Sequence, residues 1–216
     1  MKHPFCAVFF SALALSAYGA QIEYEAPNVI PSVESPARRI NWDLSKAYSE
    51  KSGERLRISL NTYWNFLPCD SADKTIPPDN ADWGYFIVPG YWRSSGLGEA
   101  MRTADGRAIR KFNGRLVTDY PAAWYRRTFT PPESMKGKKV QLYFELFYSN
   151  PEVYINGKKV PVPFSFTPRY QVPVGSYLKY GEKNTIHIRA EILGSKYVKR
   201  GGIRGNLWLE ARPEQN

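Results

Sequence analysis

The segment from Lys139 to Tyr148 constrains the fold more than any other. Its apolar residues recur at every second position, with Val140, Leu142, Phe144 and Leu146 on one face and Gln141, Tyr143 and Glu145 on the other. Period two marks a half-buried β-strand. Just beyond it, Val153 and Ile155 alternate up to Asn156-Gly157. That pair best supplies the positive φ angles of a type I′ turn, so EVYINGKKV reads as a β-hairpin. The pattern returns from Thr185 to Leu193, where Ile186, Ile188, Ala190 and Ile192 alternate with His187, Arg189 and Glu191. One face of that strand is expected to be buried and the other wet, with His187 an ordinary exposed residue.

Weaker strands are expected at residues 57–67, 85–88, 123–130, 164–172 and 207–211, and a small hairpin at Asn113-Gly114 within a Gly- and Arg-rich insertion. No window shows sustained helical periodicity, so helix is limited to a turn or two, around residues 44–49. Short runs broken by Gly, Pro, Asn and Asp specify an all-β sandwich of eight to ten strands. Trp64, Phe66, Trp124 and Phe129 are candidate core aromatics, and Gly201-Gly202 is a point of close backbone approach.

The amino terminus sets the compartment. Lys2 and His3 precede an apolar run from Phe5 to Leu15, followed by Ala17, Gly19 and Ala20. This is a secretory leader, residues 1–19, too short in its apolar part for a membrane span, and the exported protein is expected to be secreted or periplasmic. Residues 20–55 are rich in Pro, Ser, Glu and Arg and read as an extended arm, and residues 56–212 as the sandwich. Cleavage would remove Cys6 and leave Cys69 alone, so no intrachain disulfide is expected. Lys and Arg outnumber Asp and Glu by 30 to 20. The cations are scattered in pairs rather than in a run, which with export argues against a nucleic-acid partner and leaves acidic surfaces or polymers.

Six segments in order, RISLNTYWNF, PPDNADWGYFIVPGYW, AWYRRTFTPPESMKGKKVQLYFE, EVYINGKKV, YLKYGEKNTIHI and GGIRGNLWLE, resemble the N-terminal sugar-binding domain of family 2 glycoside hydrolases, the β-galactosidase and β-glucuronidase group. The resemblance spans about residues 56 to 211 and implies a jelly-roll, galactose-binding-like β-sandwich. It also implies that the two catalytic carboxylates, set about 5 Å apart in a retaining enzyme, belong to a barrel domain farther along the family's chains. No catalytic residue is therefore expected here. Where many family members carry a His-x-Gly-Gly stretch, this sequence has Pro163 to Ser165. Where an aromatic commonly follows Gly-Gly-Ile it has Arg204, and near the family's acidic residue before the Gly-Gly pair it has Lys196.

The residues themselves offer no zinc spacing, nucleotide-binding loop or nucleophile signature, so no metal or cofactor is expected. Asp70, Asp73, Asp79 and Asp82 could suggest calcium, but their spacing resembles no calcium loop. Tyr91 and Trp92, after Pro89-Gly90, and Tyr197, before Gly201, are candidate rim aromatics for stacking on sugar. Lys196, Lys199, Arg200 and Arg204 stand around the Gly-Gly pair and suit carboxylate or sulfate groups. These seven residues form the candidate carbohydrate site, with an acidic polysaccharide as the preferred ligand. The expected function is that of an exported, non-catalytic carbohydrate-binding or glycosidase-associated protein, partnered by carbohydrate and by a separate catalytic subunit. Two alternatives stand beside it: a piece of a split or truncated family 2 hydrolase, and an interaction module that has lost sugar binding.

Overall fold

A computed structural model describes residues 20–23, 49–52, 55–91, 100–149, 151–194 and 199–213. The leader, Cys6 and the expected helical turn before Ser49 lie outside them. The strands run β1 (Ala20–Glu23), β2 (Ser49–Ser52), β3 (Arg55–Ser59), β4 (Thr62–Cys69), β5 (Gly84–Val88) and β6 (Met101–Arg102). Next come β7 (Ala108–Ile109), β8 (Lys111–Phe112), β9 (Arg115–Leu116), β10 (Ala122–Phe129), β11 (Lys139–Phe144) and β12 (Glu152–Ile155). The last are β13 (Lys158–Val160), β14 (Tyr170–Pro173), β15 (Asn184–Glu191), β16 (Leu193–Gly194), β17 (Lys199–Arg200) and β18 (Leu207–Arg212).

Two large antiparallel sheets result among the described residues, one ordered β1-β2-β3-β18-β11-β14 and the other β13-β12-β15-β10-β4-β5-β6-β7, with β8-β9 and β16-β17 as separate two-stranded pairs. Their facing sides share one apolar core, with Val140, Leu142, Phe144, Leu207 and Leu209 from the first sheet meeting Trp64, Phe66, Tyr125, Ile186 and Ile188 from the second. The chain is an all-β sandwich, as the alternation predicts. Helical geometry among the described residues is confined to three 3₁₀ turns. β1 and β2 come from the segment expected as an arm and extend the first sheet beyond β3.

Both expected tight turns form. Asn156 and Gly157 take φ of 51° and 78°, and Asn113 and Gly114 take 47° and 76°, as a type I′ turn demands. Trp64, Phe66, Trp124 and Phe129 are all buried, although Trp124 packs on the far side of its sheet.

Four expectations change. The run at residues 57–67 is not one strand, because the chain leaves the first sheet after β3 and enters the second at β4. Leu60 and Asn61 span the crossing, and their carbonyls accept hydrogen bonds from Arg127 Nη1 at 2.6 and 3.2 Å. The expected strand at 164–172 shrinks to β14, since Pro168 has no N–H to offer a ladder and Ser165 Oγ ties the segment to itself by donating to the Thr167 and Arg169 carbonyls. Phe164 and Phe166 are instead 80% and 96% exposed. β11 ends at Phe144, and it is Phe147 rather than Leu146 that enters the core beyond it.

The fourth correction is the outward face of β15. His187 and Arg189 are buried, not wet. The loop after β4 folds over them, held by Arg189, whose Nη2 and Nε donate to the carbonyls of Ser71 (2.7 Å) and Asp73 (3.0 Å). Beneath this loop Cys69, Ala122 and Trp124 make a second apolar cluster with Leu67, Ile76, Trp83 and Tyr154.

Candidate functional site

At one end of the sandwich a β-bulge prepares a cationic and aromatic site. The amides of Arg204 and Gly205 both donate to the Leu146 carbonyl, each at 2.9 Å, so two residues oppose one. A bulge of this kind re-aims side chains. It shifts the alternation, sends Phe147 and Ile203 inward as a bridged pair, and leaves Arg204 and Tyr148 half-buried. Gly205 is required, because a Cβ there would lie 2.6 Å from the Leu146 nitrogen.

Tyr91 reaches the same place by a separate route. Gly90 is buried and its amide donates to the Ile203 carbonyl at 2.8 Å. A Cβ on Gly90 would fall 2.5 Å from the Ile87 carbonyl oxygen, so only glycine lets the chain pass this close. The Arg204 guanidinium then lies 4.5 Å from the Tyr91 ring centroid and 5.3 Å from that of Tyr148. Cation–π attraction holds it there. Among the described residues no carboxylate comes within ion-pair distance of Arg204.

Of the seven residues expected from sequence, Tyr91 and Arg204 are thus brought together. Trp92, Lys196 and Tyr197 lie outside the described residues. Lys199 and Arg200 form β17, which pairs with β16, and their side chains lie outside the description. Tyr148 was missed, because the strand pattern gave it no role of its own. The available signal was Gly205, a glycine just before a strand, which suggests a bulge.

Most of the other chemically suggestive residues are paired or buried. Asp70 pairs with Arg115 at 2.9 Å and Asp79 with Arg126 at 3.0 Å, while Asp73 accepts from the Asp70 amide. No group of three or more potential metal ligands occurs among the described residues. Burial pushes the Cys69 thiol up to about 12, above any reactive range. Burial, aided by the nearby Arg126 charge, pulls His187 down to about 4, which keeps it neutral. Burial alone would raise Glu210, yet hydrogen bonds from Arg57 and Arg212 hold it below the usual carboxylate range. Glu152 is held low in the same way by Lys159.

No family model matches the chain. It is 33% identical over 166 residues to a β-galactosidase of Thermoanaerobacter pseudethanolicus, a match covering 71% of this chain and 20% of that protein. It is 29% identical over 161 residues to a β-galactosidase of Bacteroides ovatus, covering 72% of this chain and 18% of that one. This chain is related to the family 2 glycoside hydrolases. A β-glucuronidase of Formosa agariphila shares 27% identity over 147 residues, 64% of this chain and 14% of that one. The fold agrees: a β-glucuronidase structure from Ruminococcus gnavus superimposes with a TM-score of 0.54 at 19% identity, over 76% of this chain and 30% of that one. The chain spans a fifth or less of these curated family 2 relatives, the length of one domain. No described helix is long and apolar enough to cross a membrane.

Proposed function

We propose that this chain is an exported, non-catalytic carbohydrate-binding sandwich that takes acidic glycans at the end of the sandwich bearing Tyr91, Tyr148 and Arg204. The observation that carries the reading is the Arg204 guanidinium, stacked on two tyrosine rings and facing no carboxylate among the described residues. Guanidinium binds carboxylate or sulfate in a fork geometry and gains little from a neutral hydroxyl. The excess of ten positive charges over the chain favours the same ligands. Residues 1–19 carry the leader pattern that supports export.

The test is a glycan array with the purified protein. Uronic-acid and sulfated glycans should bind above neutral galactans, and Arg204→Ala should weaken that binding while Lys158→Ala, on the exposed β13, should leave it intact. Preference for neutral ligands, or acidic binding indifferent to Arg204→Ala, would refute the reading.

A second reading has its own support in the length of the relatives. In it the sandwich is one domain of a family 2 hydrolase, acting beside a barrel encoded farther along the same gene or in a neighbouring one, and recruiting substrate to it. Sequencing the adjoining DNA decides between the two.

A further inference from the structure

The loop between β13 and β14 holds two phenylalanines out in solvent. Phe164 and Phe166 are 80% and 96% exposed, and among the described residues the only other exposed large apolar side chain is Leu116. The two rings meet edge to face, with centroids 4.8 Å apart and planes at 86°, an arrangement that aromatic pairs favour. One exposed apolar residue is ordinary on a protein surface. A fixed pair at a loop tip, left unburied by the fold, marks a contact surface.

The loop is built to present this pair. Ser165, between the two phenylalanines, has its Oγ 2.7 Å from the Arg169 carbonyl and 2.8 Å from the Thr167 carbonyl, and accepts from the Thr167 amide at 3.3 Å. Pro163 and Pro168 fix φ on either side. The Pro168 carbonyl accepts from the Phe147 amide at 2.7 Å, which anchors the loop to a core residue. The Ser165 closure also brings Arg169, itself exposed, into the same tip. Arg169 makes no side-chain hydrogen bond or ion pair with another described residue. Residues 161–170 contain no Asp or Glu. Glu145, one ladder position beyond the Phe144–Tyr170 pair, is the carboxylate that register brings towards Arg169. It accepts instead from Asn206 Nδ2 at 2.7 Å and Trp208 Nε1 at 3.3 Å.

We infer that this tip is a glycan subsite for a hexuronate unit, whose C–H face lies on the Phe164 and Phe166 rings and whose carboxylate meets the Arg169 guanidinium. A uronate pyranose carries both chemistries in one ring. Its axial C–H groups suit an aromatic surface, and its carboxylate suits a guanidinium fork. A neutral sugar would use the rings alone and an acidic peptide the cation alone, so the combination selects the occupant. The rings are already in solvent and the backbone beneath them is held, which limits the ordering cost of binding. This inference rests on the carbohydrate reading above but on no residue of the Arg204 site.

The experiment is titration calorimetry of the whole purified chain with trigalacturonate, with galactotriose as the neutral comparator. The Arg204→Ala variant isolates the tip: trigalacturonate should still bind it, and adding Phe166→Ala or Arg169→Gln should weaken that binding about tenfold each. Melting midpoints should stay unchanged, because these side chains lie outside the core. If Arg204→Ala alone removes all binding, the tip is ruled out and the end site stands. Equal binding of galactotriose, or indifference to Arg169→Gln, would overturn the assignment to uronates. Sedimentation showing a parent dimer that Phe166→Ala converts to monomer, with glycan binding unchanged, would overturn the subsite and make the pair a contact between copies. Binding of neither sugar by the parent would overturn the carbohydrate reading and this inference together.

Discussion

His187 shows at a single residue how burial becomes a pH dependence. Its imidazole faces Trp83 at 6.4 Å between ring centroids, with Arg126 and Asp79 also close enough to influence it, and neither ring nitrogen has a hydrogen-bond partner among the described residues. The folded protein holds it neutral down to about pH 4, whereas the ordinary value is 6.5. Between these limits the unfolded chain binds a proton that the native one refuses, so stability falls as pH drops from 6.5 to 4, by roughly 3 kcal/mol. Urea midpoints measured across this range should show the parent losing stability relative to His187→Gln as pH falls. A constant difference would show that His187 is accessible. Cys69, with its thiol raised to about 12, should likewise resist an aromatic disulfide reagent in the native state and react once the chain is unfolded in urea. Prompt reaction in the native state would mean that the loop over it opens.

At the scale of elements, the Asn156-Gly157 hairpin joins local turn chemistry to long-range bonding. Asn156 Nδ2 donates to the Tyr177 carbonyl (3.1 Å) and to Asn184 Oδ1 (2.8 Å), and its Oδ1 accepts from the Thr185 amide (3.0 Å). Gly157 has φ of 78° with nothing within 4 Å of an added Cβ. Gly157→Ala should therefore cost only the backbone penalty, about 1 kcal/mol. Asn156→Gly keeps the turn but takes their side-chain partner from the Thr185 amide and the Tyr177 carbonyl, and should cost more, about 2–3 kcal/mol. Chemical denaturation of the two variants tests the order, and a reversed order would mean that turn geometry, not the side-chain bonds, holds the hairpin. The bulge at Arg204-Gly205 is the parallel case at the site. There an added Cβ meets backbone, so Gly205→Ala should displace Arg204 and reduce acidic-glycan binding as well as stability.

For the whole molecule the prediction concerns chemistry. Glu152 and Glu210 are held in the ionised form by Lys159 and by Arg57 and Arg212. A carboxylate kept ionised at neutral pH cannot serve as the general acid of glycoside hydrolysis. Under the proposed non-catalytic reading, the purified chain is expected to leave chromogenic β-galactosides, β-glucuronides and β-mannosides intact. Turnover that survives repurification and vanishes in a single Asp or Glu variant would refute this. Glycan binding, by contrast, should weaken steeply as salt rises, since the screening length falls from about 10 Å at 0.1 M to about 3 Å at 1 M.

The all-β class, the two Asn-Gly turns and the inward residues of β11 and β15 were legible in the chain, because strand alternation and positive φ are local properties that neighbours in sequence specify. The gathering of Tyr91 and Arg204 was half legible, through the glycines and cations around the Gly201-Gly202 pair. Tertiary structure decided what alternation cannot express. Whether the outward face of a strand meets water depends on a distant loop, and for His187 and Arg189 the segment after β4 closed over it. Whether Leu146 or Phe147 faces the core depends on a bulge in the partner strand. The grouping of Arg55, Arg57 and Arg212 around Glu210 required β3 and β18, about 150 residues apart in sequence, to become neighbours, and sheet order is set by the packing of the whole core rather than by any stretch of the chain.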